Sequence, residues 1–207
     1  MATGTTPGVR RRGPSKGDRT SQAILDTAER LLAERDLSAI TIDELATGAG
    51  ISRSAFYFHF ESREAVLYLL ADQVLKELFE SAEVATSRRG GEPADAIRTA
   101  IAGNLAIWRK HGPVLRAAVR ARETDPAMRR FWADVARRFV TAAAAQIETD
   151  REIGIAPPGP PTARQLATAL VSMNDEVFYH QSRARKSGDR DIVETLTTIW
   201  VRSIYGN

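Results

Sequence analysis

Apolar residues in this chain recur three and four positions apart almost from end to end, and strand-like alternation is nearly absent. A period of that kind leads to helices packed by one face. Ile24, Ala28, Leu31 and Leu32 form one stripe. Ile42, Leu45, Ala46 and Ala49 form a second, opened by the capping box Thr41-x-x-Glu44. Leu67, Leu70, Ala71, Val74 and Leu78 mark a long helix after Ser62, a good N-cap. Gly90-Gly91, Gly112-Pro113, Asp125-Pro126 and the proline-rich stretch 157–161 cut the remainder into helical segments near 93–111, 113–123, 126–153, 162–187 and 189–205. The expected fold class is all-α, with about nine helices.

Composition removes several function classes. The 207 residues contain no cysteine and three scattered histidines, His59, His111 and His180. Disulfides, thiolate metal sites and cysteine nucleophiles are excluded, and a histidine-rich metal centre is not expected. No apolar run approaches the roughly 18–20 residues that span a bilayer, and the first residues lack the apolar stretch of a signal peptide. A soluble, cytoplasmic protein without membrane contact is expected. Charge is distributed unevenly. Residues 1–18 hold Arg10, Arg11, Arg12 and Lys16 against Asp18 alone, within Gly, Pro, Ser and Thr. The expectation is a flexible basic arm that attracts polyanions, nucleic acid first, with a solubilising tail as the bland alternative. Residues 21–64 carry eight acidic groups against four basic ones.

The chemistry concentrates between Thr41 and Phe60. A short amphipathic helix ends in Gly48-Ala49-Gly50, a turn that lets the backbone double back, and Ser52 caps a second, very short helix. Ile51, Phe56 and Phe60 can point inward, which leaves Arg53, Ser54 and Tyr57 on one outer face. A helix-turn-helix needs this pattern: a bracing helix, a tight turn and a second helix that enters the major groove. Arg53 and Ser54 are the candidates for reading base edges. On periodicity alone, an ordinary helical hairpin with an aromatic plug stays open as the alternative.

Gly50-Ile-Ser-Arg-Ser-Ala-Phe-Tyr-Phe-His-Phe-Glu-Ser-Arg-Glu64-Ala-Val-Leu67 resembles the signature of the TetR family of transcriptional repressors. The two preceding stripes fit that family's DNA-binding domain. The resemblance implies a DNA-facing set of Arg10, Arg11, Arg12, Thr41, Ser52, Arg53, Ser54, Tyr57, His59 and Arg63. Within it, Thr41, Tyr57, His59 and Arg63 contact the DNA backbone and the arginines of the arm reach the minor groove. His59 read by itself could equally be a satisfied, partly buried histidine. Arg63 stands where the family usually carries Lys, and a guanidinium favours a bidentate contact over a point contact.

Further along, Gln165-Leu-Ala-Thr-Ala-Leu-Val-Ser-Met-Asn174 and Ile199-Trp-Val-Arg-Ser-Ile-Tyr-Gly206 resemble the EthR-type branch of the family. Apolar stripes through Ile97, Ile101, Leu105 and Trp108, through Trp132, Val135 and Phe139, and through Leu166, Leu170, Val177 and Phe178 read as core by themselves. Asn174 shares the last face, where an unpaired amide would cost about 1–3 kcal/mol. The branch's matching asparagine bonds a ligand carbonyl inside an aromatic channel. The resemblance therefore implies an effector site of Ile101, Leu105, Trp108, Trp132, Phe139, Asn174, Phe178 and Trp200, with a satisfied structural Asn174 as the alternative. Asn104 interrupts the first stripe and argues against a wholly lipophilic channel. Val193, Leu196, Trp200 and Ile204 form a last face that the resemblance assigns to homodimerisation through the final two helices.

The domains expected are an arm over 1–18, a helix-turn-helix domain over 19–66 and an effector-binding and dimerisation domain over 67–207. The function expected is a non-catalytic repressor that binds double-stranded, palindromic operator DNA, is released by a lipophilic small molecule, and needs no cofactor or metal. A helical-bundle carrier or enzyme without a DNA role is the alternative from another class, and a filled-core architectural DNA binder is a third.

Overall fold

The computed structural model describes residues 16–86, 92–183 and 188–206. The expected roles of Arg10, Arg11 and Arg12 lie outside the described residues. Nine α-helices are present among those described: α1 (Lys16–Glu34), α2 (Ile42–Gly48), α3 (Arg53–Phe56), α4 (Arg63–Thr86), α5 (Pro93–Lys110), α6 (Gly112–Thr124), α7 (Pro126–Glu152), α8 (Ala163–Gln181) and α9 (Asp189–Tyr205). The chain divides between Val66 and Leu67, in the first turn of α4, into two compact units.

In the first unit the α1 stripe is buried as its spacing requires: Ile24, Leu25, Ala28, Leu31 and Leu32 are covered, as are Ile40, Leu45, Ala46, Phe56 and Phe60, and α2 packs on both α1 and α3. The Thr41 capping box forms in full, with the hydroxyl accepting from Glu44 N and the Glu44 carboxylate accepting from Thr41 N. Ser52 Oγ caps α3 by accepting from Ala55 N at 3.2 Å. Gly50 takes φ +70°, a left-handed conformation that glycine adopts without a Cβ clash. This is the turn that reverses the chain between α2 and α3.

In the second unit α7 packs on α8 and α6, and α5 packs on α9 and α8. One buried cluster joins Val140 and Ile147 of α7, Leu166, Leu170 and Val171 of α8, and Ile204 of α9. Asp150 is buried but satisfied: Tyr205 Oη donates to it at 2.7 Å and Gln146 Nε2 at 2.9 Å. That contact fixes the end of α9 on α7.

One expectation needs correction. The stretch read as helical to 187 stops as α8 at Gln181. Its terminal carbonyls are taken by arginines from elsewhere: Arg109 of α5 donates to Gln181 O, and Arg116 of α6 to Ser182 O at 2.9 Å. Tertiary capping of this kind leaves no mark in the local sequence. The Val193–Ile204 face of α9 is partly covered within the chain. Leu196 and Ile204 are buried by the chain's own helices, and Val193 and Trp200 are half-buried. Ile199, on another face of α9, is the large apolar residue left in the open there.

Candidate nucleic-acid and effector sites

The recognition turn rests on Phe56. Its ring is fully buried, stands edge-on to Tyr57 at 5.7 Å and lies 6.0 Å from Phe60. With that ring anchored, α3 exposes Ser52, Arg53, Ser54 and Tyr57 together, as their spacing requires. Phe58 beside them is 88% exposed, an apolar ring facing solvent that no stripe argument singled out. Its adjacency to Tyr57 was the signal available, because a ring with no core to fill is found where a partner surface approaches.

Several of these groups are already paired. Arg53 Nη1 donates to Asp43 at 2.7 Å, and the Tyr57 hydroxyl and the Asp43 charge both favour the charged guanidinium. Ser52 and Ser54 share a hydroxyl contact at 3.1 Å. His59 Nδ1 lies 3.0 Å from Ser21 Oγ and is half-buried, so the ring joins α1 to the end of the recognition segment. Arg63 is occupied too: Nη1 donates to Ser38 O and Ile40 O at 2.9 and 3.0 Å, and Nε to Glu64. The guanidinium therefore ties the loop before α2 to the start of α4, with Nη1 serving two carbonyls while Nε serves Glu64. Thr41 offers its N–H and hydroxyl to the Glu44 carboxylate at 2.9 and 2.8 Å. Those bonds, together with the one from Arg35, pull the Glu44 carboxyl down to about 2. Both donors expected to meet a phosphate are thus held by a carboxylate that stays charged.

The second unit gathers the aromatic residues in its interior. Ile101, Leu105, Trp108, Trp132 and Phe178 are buried, Trp108 meets Trp132 edge-on at 6.3 Å, and half-buried Phe139 stacks on Phe79 at 4.5 Å. Asn174 is buried and accepts from Trp200 Nε1 at 3.1 Å through Oδ1. This bond orients the amide, so its –NH2 end is the one turned to other partners. A cleft of about 310 Å³ opens between α5 and α9, bordered by Arg98, Ala102, Leu105, Val193 and Glu194. Leu105 is the one expected effector residue on its rim.

Asp175 was missed by the sequence reading, although it lies four residues after Val171 and three before Phe178, on a largely buried face. Burial pushes its carboxyl up to about 6 from the ordinary 3.8, with Arg122 pulling the other way. A raised carboxyl binds its proton more tightly in the fold than in the unfolded chain. Its contribution is therefore complete below about pH 4 and lost as the pH rises through about 6. Asp175→Asn should flatten that limb: on the order of 1–3 kcal/mol of stability lost by the wild type between pH 4 and pH 7 is retained by the variant. Urea unfolding at both pH values checks this, and parallel profiles would show that the carboxyl is solvated.

Among the described residues, no group of three or more His, Asp or Glu side chains is placed to hold a metal ion, and no helix is long and apolar enough to cross a membrane. Comparisons with known proteins agree with both units. Residues 24–68 match the family model for bacterial regulatory proteins of the tetR family, and residues 97–206 match that for the C-terminal domain of the transcriptional regulator EthR. The chain is 38% identical over 203 residues to the HTH-type transcriptional regulator EthR of Mycolicibacterium smegmatis, covering 97% of this chain and 93% of that protein. It is likewise 38% identical to EthR of Mycobacterium tuberculosis, covering 94% of that protein. A crystal structure of the TetR-family regulator PfmR from Thermus thermophilus superposes with a TM-score of 0.71 at 20% identity, over 86% of this chain and 97% of that one. On this fold and these relatives, the chain belongs to the TetR family of DNA-binding transcriptional repressors, with an EthR-type C-terminal domain.

Proposed function

We propose that a homodimer of this chain, paired through α8 and α9, binds a palindromic operator and leaves it when a lipophilic effector enters the second unit. The observation that carries the DNA half is the outer face of α3, where Arg53, Ser54 and Tyr57 stand together over the buried Phe56. Arg53 and Ser54 read base edges, Tyr57 and Ser52 meet phosphates, and His59 and Arg63 hold the recognition segment against α1 and the loop before α2. Phe58 packs on the sugar–phosphate wall. For Thr41 to meet a phosphate, that phosphate would have to displace the Glu44 carboxylate, so a positioning role fits it better. Arg10, Arg11 and Arg12 supply the sequence-independent charge of an arm. Two α3 helices about 34–36 Å apart match one turn of the duplex.

The effector half rests on Asn174 and the aromatic groups around it. With its Oδ1 held by Trp200, the amide N–H groups are the donors that a ligand carbonyl would take. The packed interior fits a ligand-free form that opens on binding. No catalysis is assigned, and the relatives are named as regulators.

The test is Arg53→Ala in operator competition assays. The substitution should cost about 1–3 kcal/mol on the operator and relax preference at one base pair. Equal loss on every sequence would make Arg53 a phosphate contact and transfer base reading to Ser54.

A further inference from the structure

Six threonines inside these helices share one habit. The hydroxyls of Thr27, Thr99, Thr141, Thr149, Thr168 and Thr198 each donate to the carbonyl four residues back, at 2.7–3.0 Å. Thr197 breaks it. Its side chain is 3% exposed and its Oγ1 is covered without any hydrogen bond, while Thr198 beside it is bonded back to Glu194 O. A second such atom lies on α5. Asn104 Oδ1 is covered and accepts from nothing. Asn104 follows Ile101 by three residues and precedes Trp108 by four, which puts it on the interior face of α5. Thr197 lies one turn before Trp200, whose indole reaches Asn174.

Helices α5, α8 and α9 pack together; Asn174 of α8 and Thr197 of α9 are buried, and Asn104 of α5 is half-buried with its Oδ1 covered. The amide on α8 is paired to its neighbour; those on α5 and α9 are not. Buried polar atoms without a partner destabilise the fold that holds them, and native proteins keep few. An apolar residue at either position would fill the same space at no such cost.

We infer that Asn104 and Thr197 form a polar subsite of the effector pocket that takes a hydrogen-bond donor, an N–H or O–H group on an otherwise apolar molecule. This rests on the effector reading above. The chemistry is specific because the Asn104 oxygen can only accept, and the Thr197 oxygen can accept while its proton turns elsewhere. The –NH2 of Asn174 asks for the opposite group, a carbonyl. A ligand meeting both demands is a secondary amide or a hydroxylated carbonyl compound with an alkyl or aryl body, not a simple ester or hydrocarbon.

The experiment compares two probes on the full-length protein by calorimetry: N-octylacetamide, which carries an N–H, and N-methyl-N-octylacetamide, which does not. Wild type should bind the first about tenfold more tightly, the value of one hydrogen bond to a buried acceptor. Asn104→Leu should erase that preference, and Thr197→Val should reduce it. Both variants should melt at a higher temperature than wild type without ligand. Thr197→Val is nearly isosteric and keeps the test valid if leucine at 104 fails to fold. If wild type binds both probes equally and Asn174→Leu abolishes both, the pocket stands and the donor subsite falls. If neither probe binds wild type, the pocket reading and the subsite fall together. A lower melting temperature for Thr197→Val would show that the hydroxyl has a partner, and would overturn the proposal.

Discussion

Phe56→Ala should abolish operator binding and destabilise the first unit by about 3–5 kcal/mol, the usual range for emptying a fully buried phenylalanine site. The ring is 0% exposed and touches both Tyr57 and Phe60. Its loss removes the floor on which α3 stands, and a four-residue helix has almost no stability of its own. Arg53, Ser54 and Tyr57 would then lose their common face. Effector binding by the second unit should persist, since its interior is built from other residues. Chemical denaturation and mobility shift on the same variant check both halves. A variant that keeps operator affinity would show that α3 is not the reading element.

Gly48→Val should give the second largest effect, about 1–3 kcal/mol from overpacking, again with loss of operator binding. A Cβ added at Gly48 would come within 2.3 Å of Thr27 Cγ2 and 3.0 Å of Thr27 Oγ1. Thr27 cannot swing aside cheaply, because it is buried and its hydroxyl is bonded to Ala23 O at 2.8 Å. The glycine at 48 thus sets how closely α2 approaches α1. Gly50 is required for a different reason, its positive φ, and nothing stands where its Cβ would go. Pairing Gly48→Val with Thr27→Ala should restore part of the stability, whereas the same partner change should do nothing for Gly50→Val. Thermal melts of the four proteins decide this, and a failure of rescue at 48 would place the clash elsewhere.

Helix positions and the recognition face were legible because they depend on short-range period and on caps. Thr41-x-x-Glu44 and Ser52 start helices where expected, and α5, α6 and α7 fall within one residue of the segments read from the sequence. What stayed hidden depends on partners distant in the chain. The end of α8 is set by Arg109 and Arg116, more than sixty residues upstream. Periodicity identified an apolar face on α9 but not what it meets, and Leu196 and Ile204 turn out to face the chain's own core. Asn174 was recognisable as an exception on an apolar face, but its indole partner Trp200 lies 26 residues away. Asp175 went unnoticed because a charged residue beside an asparagine reads as solvated until its burial is known.

Half-site spacing decides whether two recognition helices act as one rigid unit. Fluorescence anisotropy can measure the affinity of the full-length protein for a palindromic operator, and for the same operator with five base pairs inserted between its half-sites. A dimer with two rigidly related α3 helices should bind the parent site as two protomers. It should lose most of its specific affinity for the insertion, which turns one half-site by about half a helical turn. Adding the lipophilic amide probe should release the parent site, and DNA should weaken the probe's binding by the same factor. Equal affinity for the two spacings would contradict the account, because each α3 would then be reading DNA alone.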